Sequence, residues 1–232
     1  MADWDRGFRR IANPVVRTVF NLLYDLEISG RENIPRQGPF IAIMNHIYFV
    51  DPVLVSVLAP RHIITMSKIE NYGILPLRPF LHLYGCFPVR RGEMDLQAIR
   101  TSLEVLEHGD GLLMAPEGTR SKSQTLQEGL DGVAWLALRS NAPIVPVAHT
   151  GQEQLGSLLK RFRRPHVRMV FGEPFRFKPP SGLGRREKLR LMTTEAMYRL
   201  AALLPAEYRG VYSDLDNASS RTLLPLDPSM DL

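Results

Sequence analysis

Between residues 25 and 175 the chain returns again and again to runs of four to six residues rich in apolar side chains, set apart by turn residues or by stretches with helical spacing. That alternation constrains the fold more than any other feature. Runs of this length suit strands, and strands that alternate with helices pair in parallel, because each helix carries the chain back across one face of the sheet. Candidate strands cover 27–30, 39–44, 62–66, 85–89, 111–115, 144–149 and 167–171. The clearest helix is 95–108, with Leu96, Ile99, Leu103 and Leu106 on one face and Gly109 placed to end it. A second runs over 186–203 through Leu189, Met192, Ala196, Leu200 and Leu203. Asp51-Pro52 reads as an N-cap followed by proline at the first helical position, and Val53, Leu54, Val55, Val57 and Leu58 fill a buried helix that Pro60 stops. The expected fold is α/β, a single domain over 25–203 with a largely parallel central sheet flanked by helices.

Two segments flank that domain. Over 4–23, Trp4, Phe8, Ile11, Val15, Val19 and Leu22 recur at steps of three and four, while Arg6, Arg9, Arg10 and Arg17 fall on the other side. Pro14 interrupts this pattern, which predicts two short helices or a kink within 1–24. Such an element either lies in a membrane interface, with its arginines on lipid phosphates, or closes over the core. Residues 204–232 have turn residues and acids but no sustained period, and are expected to form a partly ordered acidic tail.

Composition narrows the class. At 232 residues, 44% hydrophobic and 23% charged, the chain is an ordinary globular protein with length for one sizeable core. One cysteine leaves no intramolecular disulfide, and no Cys and His cluster has zinc-ligand spacing, so no metal is expected. The longest stretch free of Asp, Glu, Lys and Arg is 37–50, shorter than the roughly 18 apolar residues of a membrane span. With early charge and no cleavage-site pattern, the expectation is a cytoplasmic protein. From residue 204 on there are five acids and two bases, so 1–203 carry 27 bases against 19 acids. A basic body suits an anionic partner such as a phospholipid surface or an acidic carrier protein. Lys160, Arg161, Arg163, Arg164 and Arg168, with Phe162 among them, are either such a contact or a solvated face. No aromatic platform or reading helix for nucleic acid is apparent.

The chemistry gathers in Met44-Asn45-His46-Ile47-Tyr48-Phe49-Val50-Asp51, just after an apolar strand. A neutral imidazole takes a proton readily near pH 7, and a carboxylate within reach fixes its tautomer and stabilises its charged form. His46 is therefore a candidate general base with Asp51 as its partner; as a helix cap, Asp51 would need no histidine. Of the 6 histidines only His46 has an aspartate five residues on; His149 does not. Cys86 reads as a small apolar residue at a strand end. Downstream come Phe87-Pro88-Val89-Arg90-Arg91, then Pro116-Glu117-Gly118-Thr119-Arg120, then Ala142-Pro143-Ile144-Val145-Pro146-Val147.

In that order the four segments closely resemble the glycerolipid acyltransferase family, whose best-known members convert 1-acylglycerol-3-phosphate to phosphatidic acid. The resemblance covers about residues 25–175. It implies that His46 and Asp51 are catalytic, deprotonating the acceptor hydroxyl as it attacks a thioester, with no covalent acyl-enzyme. It also implies that Glu117, Gly118, Thr119 and Arg120 help to hold the acceptor phosphate, Arg120 through two parallel hydrogen bonds, with Lys68, Arg90 and Arg91 adding positive charge. Oxyanion donors are expected among backbone amides near the start of the Asp51 helix or around Gly118. The implied partners are a lysophospholipid acceptor, acyl-CoA or acyl-acyl carrier protein as co-substrate with no cofactor, and an anionic surface on the inner face of the cell membrane. Two alternatives stay open: the same chemistry on another lysophospholipid, glycerol 3-phosphate or a glycolipid, and a non-catalytic lipid-binding protein on this fold. Many family members continue with Phe-Lys-x-Gly where this chain reads Leu126-Gln127-Glu128-Gly129, which removes a positive charge near the acceptor site.

Overall fold

A computed structural model of the chain describes residues 3–92 and 95–226, with side chains from residue 7 onward. Its elements in chain order are α1 (Asp3–Leu23), β1 (Asp25–Ser29), β2 (Phe40–Met44), α2 (Asp51–Leu58), β3 (Ile63–Lys68), α3 (Arg78–Leu83), β4 (Phe87–Val89), α4 (Leu96–Glu107), β5 (Gly111–Met114), α5 (Gly132–Ser140), β6 (Ile144–Thr150), α6 (Leu155–Leu159), β7 (His166–Phe171), β8 (Phe175–Phe177), α7 (Arg185–Ala202) and β9 (Leu223–Pro225). The strands form one sheet in the order β1-β7-β6-β2-β5-β3-β4, with β8 on β6 and β9 on β8. From β2 to β6 the strands are parallel. β7 runs antiparallel to β6, and β1 follows β7.

The strand β2 shows why its run lacks polar residues: all five of its residues are buried. Ile41 and Ile43 join one core, while Phe40, Ala42 and Met44 join the other. A strand covered on both faces needs apolar side chains at every position. The first core is closed by α4, α5 and α7 through Val105, Leu136, Met197 and Leu200. The second is closed by α1 and α2 through Phe20, Leu54, Val55 and Leu58. All seven expected strands are present, and helix α4 starts where expected, with Asp95 accepting from the amides of Gln97 and Ala98.

Three expectations need correction. The N-terminal segment is one helix, Asp3–Leu23, with Pro14 inside it, and not two short helices. Pro14 and Arg10, four residues before it, are both exposed, so the proline falls on the solvent side of the helix, where the loss of one backbone hydrogen bond is tolerated. The orientation of that helix also differs. Arg9 is buried and donates to the Ile63 carbonyl at 2.9 Å, and Arg17 donates to the Val57 carbonyl at 3.0 Å in the last turn of α2. Carbonyls at a helix C-terminus lack internal partners and carry negative partial charge, so an arginine is well placed there. The apolar stripe of Ile11, Val15, Val19 and Leu22 is consequently exposed, at 76%, 62%, 45% and 70%. The side chains of Trp4 and Arg6 lie outside the described residues.

The third correction concerns the tail. Over 204–226 the chain is part of the domain: Leu204, Tyr212 and Leu223 are buried in the first core, and β9 extends the sheet. Glu195 on α7 anchors it, accepting from the amides of Arg221 and Thr222 and from the hydroxyls of Ser219 and Thr222. Residues 227–232 lie outside the described residues.

Candidate active site

The singled-out residues leave the sheet along one edge. Because β2 to β6 are parallel, His46 beyond β2, Lys68 ending β3, Arg90 and Arg91 after β4 and Glu117 beyond β5 all lie at carboxyl ends, where open α/β sheets gather ligands. The Nδ1 of His46 lies 3.0 Å from Oδ2 of Asp51. That oxygen also accepts from the amides of Ile47 at 2.8 Å and Tyr48 at 2.7 Å. The expected N-cap is thus corrected: Asp51 is the first residue of α2 and turns its carboxylate back to the loop rather than forward to the helix amides. The loop amides fix the carboxylate, and the carboxylate fixes the ring. An ionised Asp51 receives Nδ1–H, which leaves Nε2 as the basic nitrogen; it has no protein partner among the described residues, and the side chain keeps 9% of its surface open.

Asp51 is fully buried. Burial, the largest influence, pushes its carboxyl upward, but the donors around it, the His46 ring and the Tyr48 amide among them, hold Asp51 below its ordinary range. A buried carboxylate stays ionised only when donors surround it in this way.

The Glu117-Gly118-Thr119-Arg120-Ser121 segment grips His46 by its backbone. Glu117 accepts from the His46 amide at 3.3 Å, and the Ser121 amide donates to the His46 carbonyl at 2.8 Å. The other Glu117 oxygen accepts from the amide of Gln127 at 2.9 Å. Glu117 therefore ties its own loop to the loop that carries His46. Burial pushes its carboxyl above the ordinary value, with the Gln127 and His46 donors opposing. Gly118 turns at φ +70, where a Cβ would come within 2.6 Å of Leu130. Several amides expected to serve as oxyanion donors are already committed: Ile47 and Tyr48 to Asp51, and Gly118 to Ala115.

Thr119 and Arg120 are exposed beside this grip. Arg91 is exposed as well, and its guanidinium is held below the ordinary value first by desolvation and further by the positive charge of Arg120, against the pull of Glu70. Lys68 pairs with Glu70 at 3.0 Å on the same rim. Arg90 is exposed at the same carboxyl end; its amide donates to Asp95 at 2.8 Å, and its charge acts on that carboxylate at the start of α4. Among the described residues no group of three or more His, Cys, Asp or Glu side chains could hold a metal ion.

The sequence reading missed three buried residues. Asn45 exchanges two hydrogen bonds with the backbone of His149, at 2.8 and 3.0 Å. Gln152 donates from Nε2 to Oδ1 of Asp51 at 3.0 Å and lies 2.8 Å from Nδ1 of His149. The signal that could have found them is topological: β6 is parallel to β2 and next to it, so the residues that follow it arrive at the same edge.

The acyltransferase family model matches residues 25–150, a stretch that holds His46, Asp51 and Glu117 through Arg120. The chain belongs to the acyltransferase family. Among its relatives in the family, a 1-acyl-sn-glycerol-3-phosphate acyltransferase of Bacillus subtilis is 25% identical over 189 residues, covering 81% of this chain and 92% of that protein. A lyso-ornithine lipid O-acyltransferase of Pseudomonas aeruginosa is 28% identical over 190 residues, covering 73% and 69%. The crystal structure of the 1-acyl-sn-glycerophosphate (LPA) acyltransferase PlsC from Thermotoga maritima superposes with a TM-score of 0.59 at 22% identity, over 84% of this chain and 80% of that one. That likeness shows the acyltransferase fold.

Proposed function

We propose that this acyltransferase moves a fatty acyl group from acyl-CoA or acyl-acyl carrier protein to the free hydroxyl of 1-acylglycerol-3-phosphate, giving phosphatidic acid for phospholipid biosynthesis, without a cofactor. The observation that carries the reading is the buried His46–Asp51 contact with Nε2 left over. An alcohol is a weak nucleophile at neutral pH. Nε2 takes its proton as the oxygen attacks the thioester carbon, and Asp51 stabilises the imidazolium that forms. The tetrahedral intermediate then expels the thiolate, which receives the proton back, so the base returns to its starting state. A lipid-binding protein would have no use for such a pair. On the rim, Arg91 and Arg120 are two like charges whose repulsion a phosphate relieves, and a guanidinium offers it two parallel donors.

A second reading keeps the chemistry and changes the acceptor. Gln127 stands where many relatives carry lysine, and its amide binds Glu117, so one positive charge is missing beside the rim. The same transfer to another lysolipid fits that loss, and one relative is named for a lyso-ornithine lipid. The test is product analysis with a panel of lysolipids that do and do not carry a phosphate monoester. Preference for 1-acylglycerol-3-phosphate, abolished by His46→Ala in a folded protein, supports the first reading. Preference for a phosphate-free acceptor sinks it.

The enzyme is further proposed to work attached peripherally to an anionic membrane face. Among the described residues no helix is long and apolar enough to cross a membrane. The exposed stripe Ile11, Val15, Val19 and Leu22 is the side of α1 suited to enter a lipid interface, with exposed Arg10 at its border. Substituting all four stripe residues with serine should leave the fold intact and reduce co-sedimentation with anionic vesicles; unchanged binding would remove α1 from the interface.

A further inference from the structure

The buried His149 and Gln152 have no part in the proposed reaction, yet Gln152 bonds its central carboxylate and His149 bonds Gln152. Gln152 is fully buried and His149 is 1% exposed. Burying an amide and an imidazole costs solvation, and side-chain packing alone gives no reason to accept that cost. The hydrogen bonds define how the pair is arranged. The Gln152 side-chain nitrogen lies 3.0 Å from Oδ1 of Asp51, a site that an ionised carboxylate opens only to a donor. One N–H of the amide therefore points at Asp51. The second points at Nδ1 of His149, 2.8 Å away, which must then be the bare nitrogen, with the ring proton on Nε2. Burial pushes the His149 imidazole below its ordinary value, in keeping with a neutral ring that accepts.

The backbone around the pair is fixed too. Asn45, next to the base, holds the His149 backbone through both of its side-chain ends. Gly151 turns at φ +96, and a Cβ there would lie 2.0 Å from the His166 carbonyl oxygen, so the turn that delivers Gln152 requires glycine.

We infer that Gln152, aimed by His149, is a positioning residue for acyl transfer that locks the second oxygen of Asp51 and so fixes the carboxylate that orients His46. The inference rests on the proposed role of His46 and Asp51. Loop amides and His46 occupy Oδ2 alone, and one occupied oxygen still permits rotation about the carboxylate bond. The Gln152 donor removes that freedom. It also spreads the negative charge of Asp51, which weakens the hold on the imidazolium and helps the proton move on to the departing thiolate. The other titratable groups around this chain are Tyr24, Tyr48, Glu117 and Glu153. Tyr24 is pushed up to about 12, chiefly by burial, and stays neutral at working pH.

The test uses Gln152→Met, which keeps the length and loses the donor, assayed with 1-oleoylglycerol 3-phosphate and either oleoyl-CoA or oleoyl-acyl carrier protein, whichever the parent turns over. Expected are a fall in kcat of about tenfold or more, as misplacement of a catalytic group produces, a KM within about twofold, and an acidic limb of the kcat–pH profile moved to higher pH. The same substitution in the Asp51→Asn background should cost nothing more, because Gln152 acts through that carboxylate. A kcat within twofold of the parent, or an equal fractional loss in both backgrounds, overturns the inference. High activity of Asp51→Asn itself would instead overturn the role of the pair. If Gln152→Met does not fold, the parent protein labelled with ¹⁵N-histidine decides: His149 should show a bare Nδ1, a protonated Nε2 and no titration between pH 5 and 8. A titrating ring, or a proton on Nδ1, sinks the inference.

Discussion

The two sides of the site differ in how much of their bonding the protein supplies itself. On the buried side Asp51 has four donors, from Ile47, Tyr48, His46 and Gln152, and Glu117 bonds both the His46 and Gln127 amides. On the exposed rim Arg91 and Arg120 repel each other, and Lys68 pairs with Glu70. A base must hold its geometry before substrate arrives, since proton transfer fails once the atoms drift out of hydrogen-bond reach. A recognition rim is completed by the ligand. On the proposed function the buried side sets turnover and the rim sets affinity, and each part of that division can be broken by experiment.

The largest effect is expected on the buried side. His46→Ala should reduce kcat by at least the roughly 10²–10⁴-fold that a general base supplies, with its far-ultraviolet dichroism unchanged. Asp51→Asn should also lower kcat strongly, since asparagine cannot offer the charge that stabilises an imidazolium. Retention of near-normal turnover by His46→Ala would erase the division at once.

On the rim the effect should be smaller and fall on the other constant. Arg120→Lys keeps the charge and loses the paired donors, so KM for a phosphate-bearing acceptor should rise about tenfold, the size of one lost charge-assisted hydrogen bond, with kcat nearly unchanged. A loss confined to kcat would place Arg120 with the catalytic groups instead.

The sequence revealed these two sides unequally. His46, Asp51 and the Glu117 to Arg120 segment were visible because, in their order along the chain, they resemble the motifs of the glycerolipid acyltransferase family; the spacing of His46 and Asp51 alone is a weak signal. The β2 run was visible because a strand buried on both faces is apolar throughout. Gln152 was not, since a glutamine 101 positions from Asp51 announces no chemistry until parallel pairing of β2 with β6 brings the two together. The stretch 204–226 was read as a tail because short 3-10 turns have no period long enough to mark, although Tyr212 and Leu223 are buried in the core. The inward turn of Arg9 and Arg17 escaped notice for a related reason: a helical projection separates apolar from charged faces but does not say which face meets unpaired carbonyls.

The buried side should also be legible in acid. Asp51 and Glu195 are both held below their ordinary values, against burial, by hydrogen bonds from His46 and Tyr48 in one case and from Ser219 and Thr222 in the other. A carboxylate with a depressed folded value contributes stability that is complete above its unfolded value, near pH 4, and is lost as pH falls through the folded value. Melting temperature should therefore fall on acidification below about pH 4. In Asp51→Asn the fall should be shallower, because the group that titrates is gone. Equal slopes for parent and variant would mean that the Asp51 carboxylate is not held by its donors as described.

The smallest effect separates the two sides by salt alone. Exposed charges are screened over about 8–10 Å at 0.1–0.15 M ionic strength and over about 3 Å at 1 M, whereas a buried pair barely responds. With a short-chain, monomeric lysophosphatidic acid, which removes vesicle binding from the measurement, raising salt toward 1 M should increase KM a few-fold as attraction to Arg91 and Arg120 is screened. Under the same conditions kcat should hold steady, because His46 and Asp51 exchange their charge inside the protein. The Arg120→Lys variant should keep this salt dependence, since it keeps the charge, while Arg120→Gln should lose much of it. If kcat followed salt as steeply as KM, the dyad would be open to solvent ions, and the boundary between a closed catalytic side and an open recognition rim would have to be redrawn.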